Sequence, residues 1–343
     1  MNRETIAVLL LAHGTPNTLG EMPEYLRRVT GGRALPPQVV AELQRRYELI
    51  GLGEQPGEQP PLTRWTEEQG RRLASALDKA GRPLPVYVAM RNWHPLIAEV
   101  VGQMHADGVT RMVAICLAPQ SSSTSTGLYR RALMAAVEEQ SASALKISVN
   151  FVGSWSEEPA LIAGFAERLV ALYPKACAET GIRAGSLPVL FTAHSVPCRT
   201  ILSGAEASGT SGEGKRFGEV GADTYPVEAK RTAALVYSAA ARQLPDLGEW
   251  FFAFQSQGVS GGPWIGPTVE ETLVGLRDEG HAGVVLQPIG FLSDHVEILY
   301  DIDIAFAERA RSLGLRLFRA ESLNGSPLLT EALLHVVQRQ IEA

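Results

Sequence analysis

Seven short runs in this chain are apolar almost without interruption and are rich in β-branched residues. They are separated by longer segments with helical periodicity. Strands buried on both faces and spaced by helices of ten or more residues are typical of a parallel sheet in an α/β protein. The predicted strands are Ile6–Leu11, Pro85–Met90, Met112–Leu117, Ile147–Phe151, Val189–Ala193, Trp250–Gln255 and Val284–Gln287. The predicted helices are Arg71–Ala80, Leu96–Ala106, Leu128–Glu139, Leu161–Leu172, Val227–Arg242, Val269–Asp278 and Leu328–Ile341.

The two halves of the sequence resemble each other. Residues 11–16 and 192–197 each follow an apolar strand and share the pattern Ala-His-x-x-Pro, and later in each half a strand ends in proline, at Pro119 and at Pro288. We therefore predict a duplicated α/β unit with about four parallel strands in each half and right-handed crossovers. The predicted domains cover residues 1–155 and 156–325, and the C-terminal helix, 326–343, is expected to pack back on the first domain.

Charge and cysteine content restrict the class of partner. The chain has 343 residues, of which 31 are basic and 37 acidic, and its net charge is −6 without a long basic run. This argues against nucleic acid or an anionic membrane as the main partner.

The first 16 residues do not resemble a signal peptide, and no apolar run is long enough to span a bilayer. The three cysteines are far apart, so we expect no disulfide framework and no zinc or iron–sulfur cluster, and we place the protein in the cytoplasm.

Several polar residues stand at or just after the carboxyl ends of the predicted strands, where ligands bind in open α/β sheets. They are His13, residues 120–126, His194, residues 255–257, and residues 293–294. A strand-end histidine can serve as a base or metal ligand, or it can simply hydrogen-bond the backbone. No dinucleotide or ATP loop and no hydrolase nucleophile elbow follows any of these strands, so neither class is favoured.

An acidic segment follows the last predicted strand. Asp294 and Glu297 have the spacing of a helix capping box, and Glu297 and Asp301 would then share one helical face. Like charges four residues apart weaken a helix, which suggests a bound cation or a proton path, although a solvated acidic face has the same pattern. Two further stretches, the tandem repeat at 53–61 and the Gly- and Ser-rich 204–221, are predicted surface loops.

The chain resembles the ferrochelatase family in several motifs that occur in order along it. They are AHGTP at 12–16, RRYELIG at 45–51, LAPQ at 117–120 with Tyr129, TAHSVP at 192–197, FQSQG at 254–258 with GPWIGP at 262–267, and PIGFLSDHVEILYDID at 288–303. This resemblance implies two Rossmann-like domains with a porphyrin cleft between them. It also implies insertion of ferrous iron, as a substrate, without a tightly bound cofactor.

By position, His194 and Glu297 resemble the family's catalytic histidine and glutamate. His194, Glu297 and Asp301 are then candidate iron ligands, and His13 is a candidate axial ligand of the product haem. The family often continues its acidic ridge where this chain has Ala305, so Asp303 is a candidate to serve instead. Candidates for binding the porphyrin and its propionates are His13, Arg45, Arg46, Ser121, Ser122, Tyr129 and Trp264.

The opening motif and the 45–51 segment resemble the enzymes that act on coproporphyrin III. We therefore expect a monomeric ferrochelatase of haem biosynthesis that makes coprohaem. The alternatives are a protoporphyrin IX ferrochelatase, a non-catalytic haem carrier with His13 as ligand, and a cobalt or nickel chelatase.

Overall fold

A computed structural model describes residues 4–140, 146–201, 223–258 and 262–342. The predicted loop at 204–221 lies outside these residues. The described part contains two parallel sheets of four strands. The first sheet comprises β1 Ile6–Ala12, β2 Val86–Met90, β3 Arg111–Cys116 and β4 Ser148–Val152. The second comprises β5 Val189–His194, β6 Trp250–Gln255, β7 Gly283–Pro288 and β8 Arg316–Arg319.

The duplication predicted from the short motifs is present in the topology. The strand order is β2-β1-β3-β4 in the first sheet and β6-β5-β7-β8 in the second, so each half repeats the same arrangement. In this arrangement His13 follows β1 and His194 ends β5, which are equivalent strands at the centres of the two sheets. The prediction of an α/β protein with two similar four-stranded domains is confirmed. The sequence had indicated only seven strands, and the missing one is β8, a four-residue edge strand with no fully buried side chain.

Helices cover the faces of both sheets. Those of the first half are α1 Met22–Val29, α2 Pro37–Leu49, α3 Pro61–Lys79, α4 Ile97–Ala106 and α5 Thr126–Glu139. Those of the second half and the C-terminus are α6 Pro159–Thr180, α7 Tyr225–Ala241, α8 Val269–Asp278, α9 Val296–Leu299, α10 Ala307–Ser312 and α11 Pro327–Glu342. Helices α1 and α2 were not predicted from the sequence, and α3 begins ten residues before the predicted start at Arg71. In α2 only Tyr47 is buried, so its apolar periodicity is weak.

One hydrophobic core extends from the first sheet to the second. It includes Val8 of β1, Phe165 of α6 and Phe191 of β5. The C-terminal helix α11 packs against both α3 and α6, and the Arg111 side chain donates a 2.9 Å hydrogen bond to the carbonyl of Gln340. The division of the chain at residue 155 remains a prediction. Among the described residues, no helix is both long and apolar enough to cross a membrane.

Candidate active site

A cavity of about 510 Å³ opens where the carboxyl ends of the two sheets face each other. Its wall includes residues from both halves, among them His13, Tyr129, His194, Trp264 and Glu297. The parallel topology accounts for this position, since the loops after the strands of each sheet gather at one edge. Of the polar residues at the predicted strand ends, His13, Gln120, Ser122, His194 and Ser293 lie in this wall, whereas residues 255–257 and Asp294 do not.

His194 and Glu297 form a pair in this cavity. Nε2 of His194 lies 3.2 Å from a carboxylate oxygen of Glu297, and its Nδ1 is hydrogen-bonded to the carbonyl of Ser195. Burial lowers the pKa of His194, but the Glu297 carboxylate and the Ser195 carbonyl outweigh it and raise the pKa to about 9. Burial raises the pKa of Glu297, yet His194 and then His295 hold it well below its usual value. The two residues therefore hold one proton between them at neutral pH.

The backbone around this pair is fixed by neighbouring strands. His194 and Gln255 are paired in register at the ends of β5 and β6, and the Gln255 amide donates a 2.9 Å hydrogen bond to the Glu297 carbonyl. Gly290, which follows β7, lies so close to β5 that a Cβ there would be 3.0 Å from Cβ of Ala193. Glycine at this position lets the loop that carries Glu297 approach His194.

Asp301 is the next acidic group beyond Glu297. Its carboxylate accepts a 2.5 Å hydrogen bond from Ser256, whose φ of +61° is unusual for a residue with a side chain. Burial raises the pKa of Asp301 to about 6, and the Glu297 charge adds to this effect. The helix changes to π-helical geometry over Asp301–Phe306, a form that occurs often at functional sites. The structure thus places a largely buried carboxylate, which accepts a hydrogen bond from Ser256, near the His–Glu pair.

The predicted capping box at Asp294 and Glu297 is wrong. His295, not Asp294, precedes the first turn of α9, and no side chain caps it. Asp294 instead accepts hydrogen bonds from Ser322 at 2.7 Å and from Asn324 at 2.9 Å, because the loop after β8 lies against it. The Glu297 carboxylate instead contacts the rings of His194 at 3.2 Å and His295 at 3.4 Å.

The structure also separates Asp303 from the site. Its carboxylate pairs with the Arg319 guanidinium through contacts of 2.5 and 2.9 Å. Because both carboxylate oxygens of Asp303 are paired with Arg319, this arrangement does not support the expectation that Asp303 extends the series of acidic residues formed by Glu297 and Asp301. Within the described ranges, no three His, Cys, Asp or Glu side chains form a ready-made metal-binding group. The site therefore offers a His–Glu pair with one further carboxylate, not a preformed metal cage.

His13 lies in the wall of the cavity with both ring nitrogens occupied. Nδ1 is 3.1 Å from the Gly14 carbonyl and 3.2 Å from the Tyr25 hydroxyl, and the Asn92 amide nitrogen is 2.9 Å from Nε2. Burial, followed by the charge of Arg91, lowers the pKa of His13 to about 4, so the ring is neutral. To ligate haem iron, His13 would have to give up one of these hydrogen bonds.

Arg45 and Arg46 do not contribute to the cavity wall in the described structure. Both guanidinium groups lie over the ring of Tyr300, and Arg45 donates a 2.6 Å hydrogen bond to its hydroxyl. Arg46 also lies 3.7 Å from an Asp301 carboxylate oxygen. These arginines connect α2 to the helix that carries the acidic residues, so the structure does not place them where the sequence had predicted propionate contacts.

Two of the predicted serines differ in position. Ser122 lines the cavity, and its hydroxyl donates a 3.2 Å hydrogen bond to Asp223. Ser121 does not line it, and its backbone N–H donates to Glu228 at 2.9 Å.

Two arginines of the cavity wall, Arg91 and Arg199, were not predicted from the sequence. Both follow strand ends, Arg91 directly after β2 and Arg199 shortly after β5, so the same strand-end rule could have found them.

Two duplicated parallel-sheet domains thus enclose a cavity that contains a histidine–carboxylate pair. The fold is similar to that of SirB from Bacillus subtilis, solved with Fe³⁺, at a TM-score of 0.51 and 10% identity, over 98% of this chain and 95% of that one. The ferrochelatase family model matches residues 5–341. The chain belongs to the ferrochelatase family, whose members are metal chelatases of haem biosynthesis with a porphyrin and iron as substrates.

Named relatives match along nearly the whole chain. The ferrochelatase of Acidobacterium capsulatum is 51% identical over 99% of this chain and 95% of its own length. The ferrochelatase of Herpetosiphon aurantiacus is 37% identical over 97% and 98%. The coproporphyrin III ferrochelatase of Geobacillus thermodenitrificans is 28% identical over 99% and 98%. The prediction of a ferrochelatase is confirmed.

Proposed function

We propose that this ferrochelatase inserts Fe²⁺ into coproporphyrin III to make coprohaem. The observation that carries the reaction is the His194–Glu297 pair, 3.2 Å apart inside a cavity whose volume of about 510 Å³ suits a small-molecule ligand. We further propose that the protein needs no resident cofactor and works as a cytoplasmic monomer. The large exposed apolar side chains of the described residues, Leu49, Met134 and Val227, lie on three different helices.

Insertion requires a base because a free porphyrin carries two N–H protons in its ring plane. Both must leave as the metal enters, and the ring must bend to expose a nitrogen lone pair. An enzyme that binds the bent ring more tightly than the flat one lowers this barrier. In the resting site Nδ1 of His194 is held by Ser195, so Nε2 is the nitrogen that exchanges its proton. Once Nε2 is free of that proton, its lone pair can take a pyrrole proton or bind Fe²⁺, for which imidazole is a suitable ligand.

The acidic residues provide a route away from the porphyrin. Glu297 contacts both His194 at 3.2 Å and His295 at 3.4 Å, and Asp301 lies further along the same helix with a pKa of about 6. A group that titrates near neutral pH can accept and release protons without a large driving force. We propose that protons leave His194 through Glu297 and Asp301, or that Fe²⁺ arrives along the same carboxylates.

The choice of coproporphyrin III rests on the charge of the cavity. Coproporphyrin III carries four propionates, whereas protoporphyrin IX carries two. The wall of the cavity contains two arginines, Arg91 and Arg199, from opposite halves of the chain. Guanidinium groups bind carboxylates in a two-pronged geometry and so favour the more carboxylated porphyrin. The relative from Geobacillus thermodenitrificans named for coproporphyrin III is consistent with this choice.

Anaerobic metallation with Fe²⁺ tests the substrate. Coproporphyrin III and protoporphyrin IX are supplied in parallel, and kcat/KM is obtained for each from the change in absorbance. We expect a kcat/KM at least tenfold higher for coproporphyrin III. A higher value for protoporphyrin IX would refute the substrate assignment while leaving the reaction intact.

A further inference from the structure

Arg91 lies in the cavity wall without an ion-pair partner among the described residues. Within the described part of the chain, no carboxylate lies within ion-pair distance of its guanidinium, and its Nε is buried without a hydrogen-bond partner. Its backbone N–H donates a 2.9 Å hydrogen bond to the Ala12 carbonyl, and its guanidinium lies over the ring of Tyr129, 5.5 Å from the ring centre. The side chain is thus held in place by the end of β1 and by an aromatic ring, without an anion.

The two cavity arginines differ in their exposure to solvent. Arg91 is half-buried, whereas Arg199 is exposed. A porphyrin that fills the cavity therefore meets Arg91 on its inner edge and Arg199 nearer the solvent. Leaving a buried cation unpaired is costly, so a bound ligand that brings a carboxylate to Arg91 gains more than one that brings an apolar group.

This difference separates the two porphyrins. Protoporphyrin IX has its two propionates on one edge and two vinyl groups in place of the other two. When its carboxylates face solvent, a vinyl edge faces inward and leaves Arg91 unpaired. Coproporphyrin III has propionates on both edges, so one of them can reach Arg91 while others stay at the mouth of the cavity. Sites built to pair a polar group discriminate strongly against an analogue that lacks it.

We propose that Arg91 binds an inward-facing propionate and is the residue that distinguishes coproporphyrin III from protoporphyrin IX. This inference rests on the proposed function of the same site. The aliphatic part of Arg91 and the ring of Tyr129 form the wall beside that propionate, and the guanidinium supplies the charge. Arg45 and Arg46, whose guanidinium groups are held by Tyr300 and Glu42, do not take this role.

The test is porphyrin binding without metal, followed by quenching of protein or porphyrin fluorescence. The variants are Arg91→Met, which removes the charge at similar length, and Arg91→Lys, which keeps the charge but not the planar fork. Arg130→Met is the matched control, because Arg130 is an exposed arginine of α5 that lies outside the cavity wall. Arg91→Gln replaces the methionine variant if that variant does not fold.

Arg91→Met should raise the Kd for coproporphyrin III at least tenfold. It should not raise the Kd for protoporphyrin IX, and should lower it to the extent that the unpaired charge of Arg91 opposes binding of that porphyrin. Arg91→Lys should recover part of the loss, and the Arg130 variant should match the parent protein. Equal weakening for both porphyrins, or an unchanged Kd for coproporphyrin III, would overturn the inference. Because binding is measured without turnover, it separates this role from the substrate assignment. A parent enzyme that metallates protoporphyrin IX faster but still needs Arg91 for coproporphyrin III would refute only the proposed function.

Discussion

Replacing Asp301 with asparagine should stabilise the metal-free protein at neutral pH. Burial, with the nearby Glu297 charge, raises the pKa of Asp301 from an ordinary 3.8 to about 6, and the side chain is only 13% exposed. A carboxyl whose folded pKa lies above its unfolded value binds protons more tightly when folded. Stability is therefore lost as the pH rises from about 4 to about 6, and the full cost is present above that range.

The magnitude follows from the size of the shift. About two pKa units, at about 1.4 kcal/mol each, correspond to a cost of about 3 kcal/mol for ionising Asp301 in the fold. Asparagine removes that charge, and its side-chain oxygen can still accept the hydrogen bond from Ser256. The attraction of Arg46, at 3.7 Å, already lowers the pKa of Asp301 and is therefore contained in this cost. We expect a net gain of about 1–3 kcal/mol at pH 7.5 that disappears toward pH 4.

Urea unfolding of the two proteins at pH 7.5 and at pH 4.5 measures this gain. Asp303→Asn is the matched control, because Asp303 lies two residues away but is paired with Arg319, so its loss should destabilise the protein. The reasoning is refuted if Asp301→Asn destabilises the protein at pH 7.5, or if its effect is the same at both pH values. A stabilised variant with slower metallation would show that the fold tolerates strain at this position for function.

The remaining predictions concern three side chains around the cavity. His13→Ala should leave the absorbance spectrum of bound ferric coprohaem unchanged, because both ring nitrogens of His13 are already hydrogen-bonded. A shifted Soret band in this variant would indicate that His13 is an axial ligand of the haem iron. Tyr300→Phe removes the 2.6 Å hydrogen bond from Arg45 and should cost about 1 kcal/mol of unfolding free energy, measured in urea. Asp294→Ala leaves Asn324 without its partner carboxylate and should cost about 2–3 kcal/mol, and a loss below 0.5 kcal/mol in thermal unfolding would contradict it.

The fold could be predicted from the sequence because its signal is local. Strands buried on both faces read as unbroken apolar runs, and the repeated Ala-His-x-x-Pro after two of them marks the duplication. The parts that were missed have weak local signals. The edge strand Arg316–Arg319 carries two arginines, and α2 buries only one side chain.

The site could be predicted only in part. The position of a residue relative to a strand end indicates where its backbone lies, but it does not indicate which other side chains it contacts. His194 and Glu297 were expected in the cavity and lie there as a pair. Asp294 was expected to cap a helix, but its partners come from a loop some thirty residues later, which no local pattern records. Arg45 was expected on a propionate, yet Tyr300, 255 positions away in the sequence, holds it through a hydrogen bond and its ring.

The central claim is that the His194–Glu297 pair removes the porphyrin protons as iron enters. Anaerobic single-turnover metallation of bound coproporphyrin III, followed by absorbance, tests it in the parent protein, in Glu297→Gln and in Glu308→Gln, an exposed carboxylate of the following helix. Glutamine at 297 removes the charge that raises the pKa of His194, so that pKa should fall below 9. The account predicts at least a hundredfold slower metallation in Glu297→Gln with porphyrin binding retained, and no change in Glu308→Gln. Metallation at the parent rate in Glu297→Gln would contradict it.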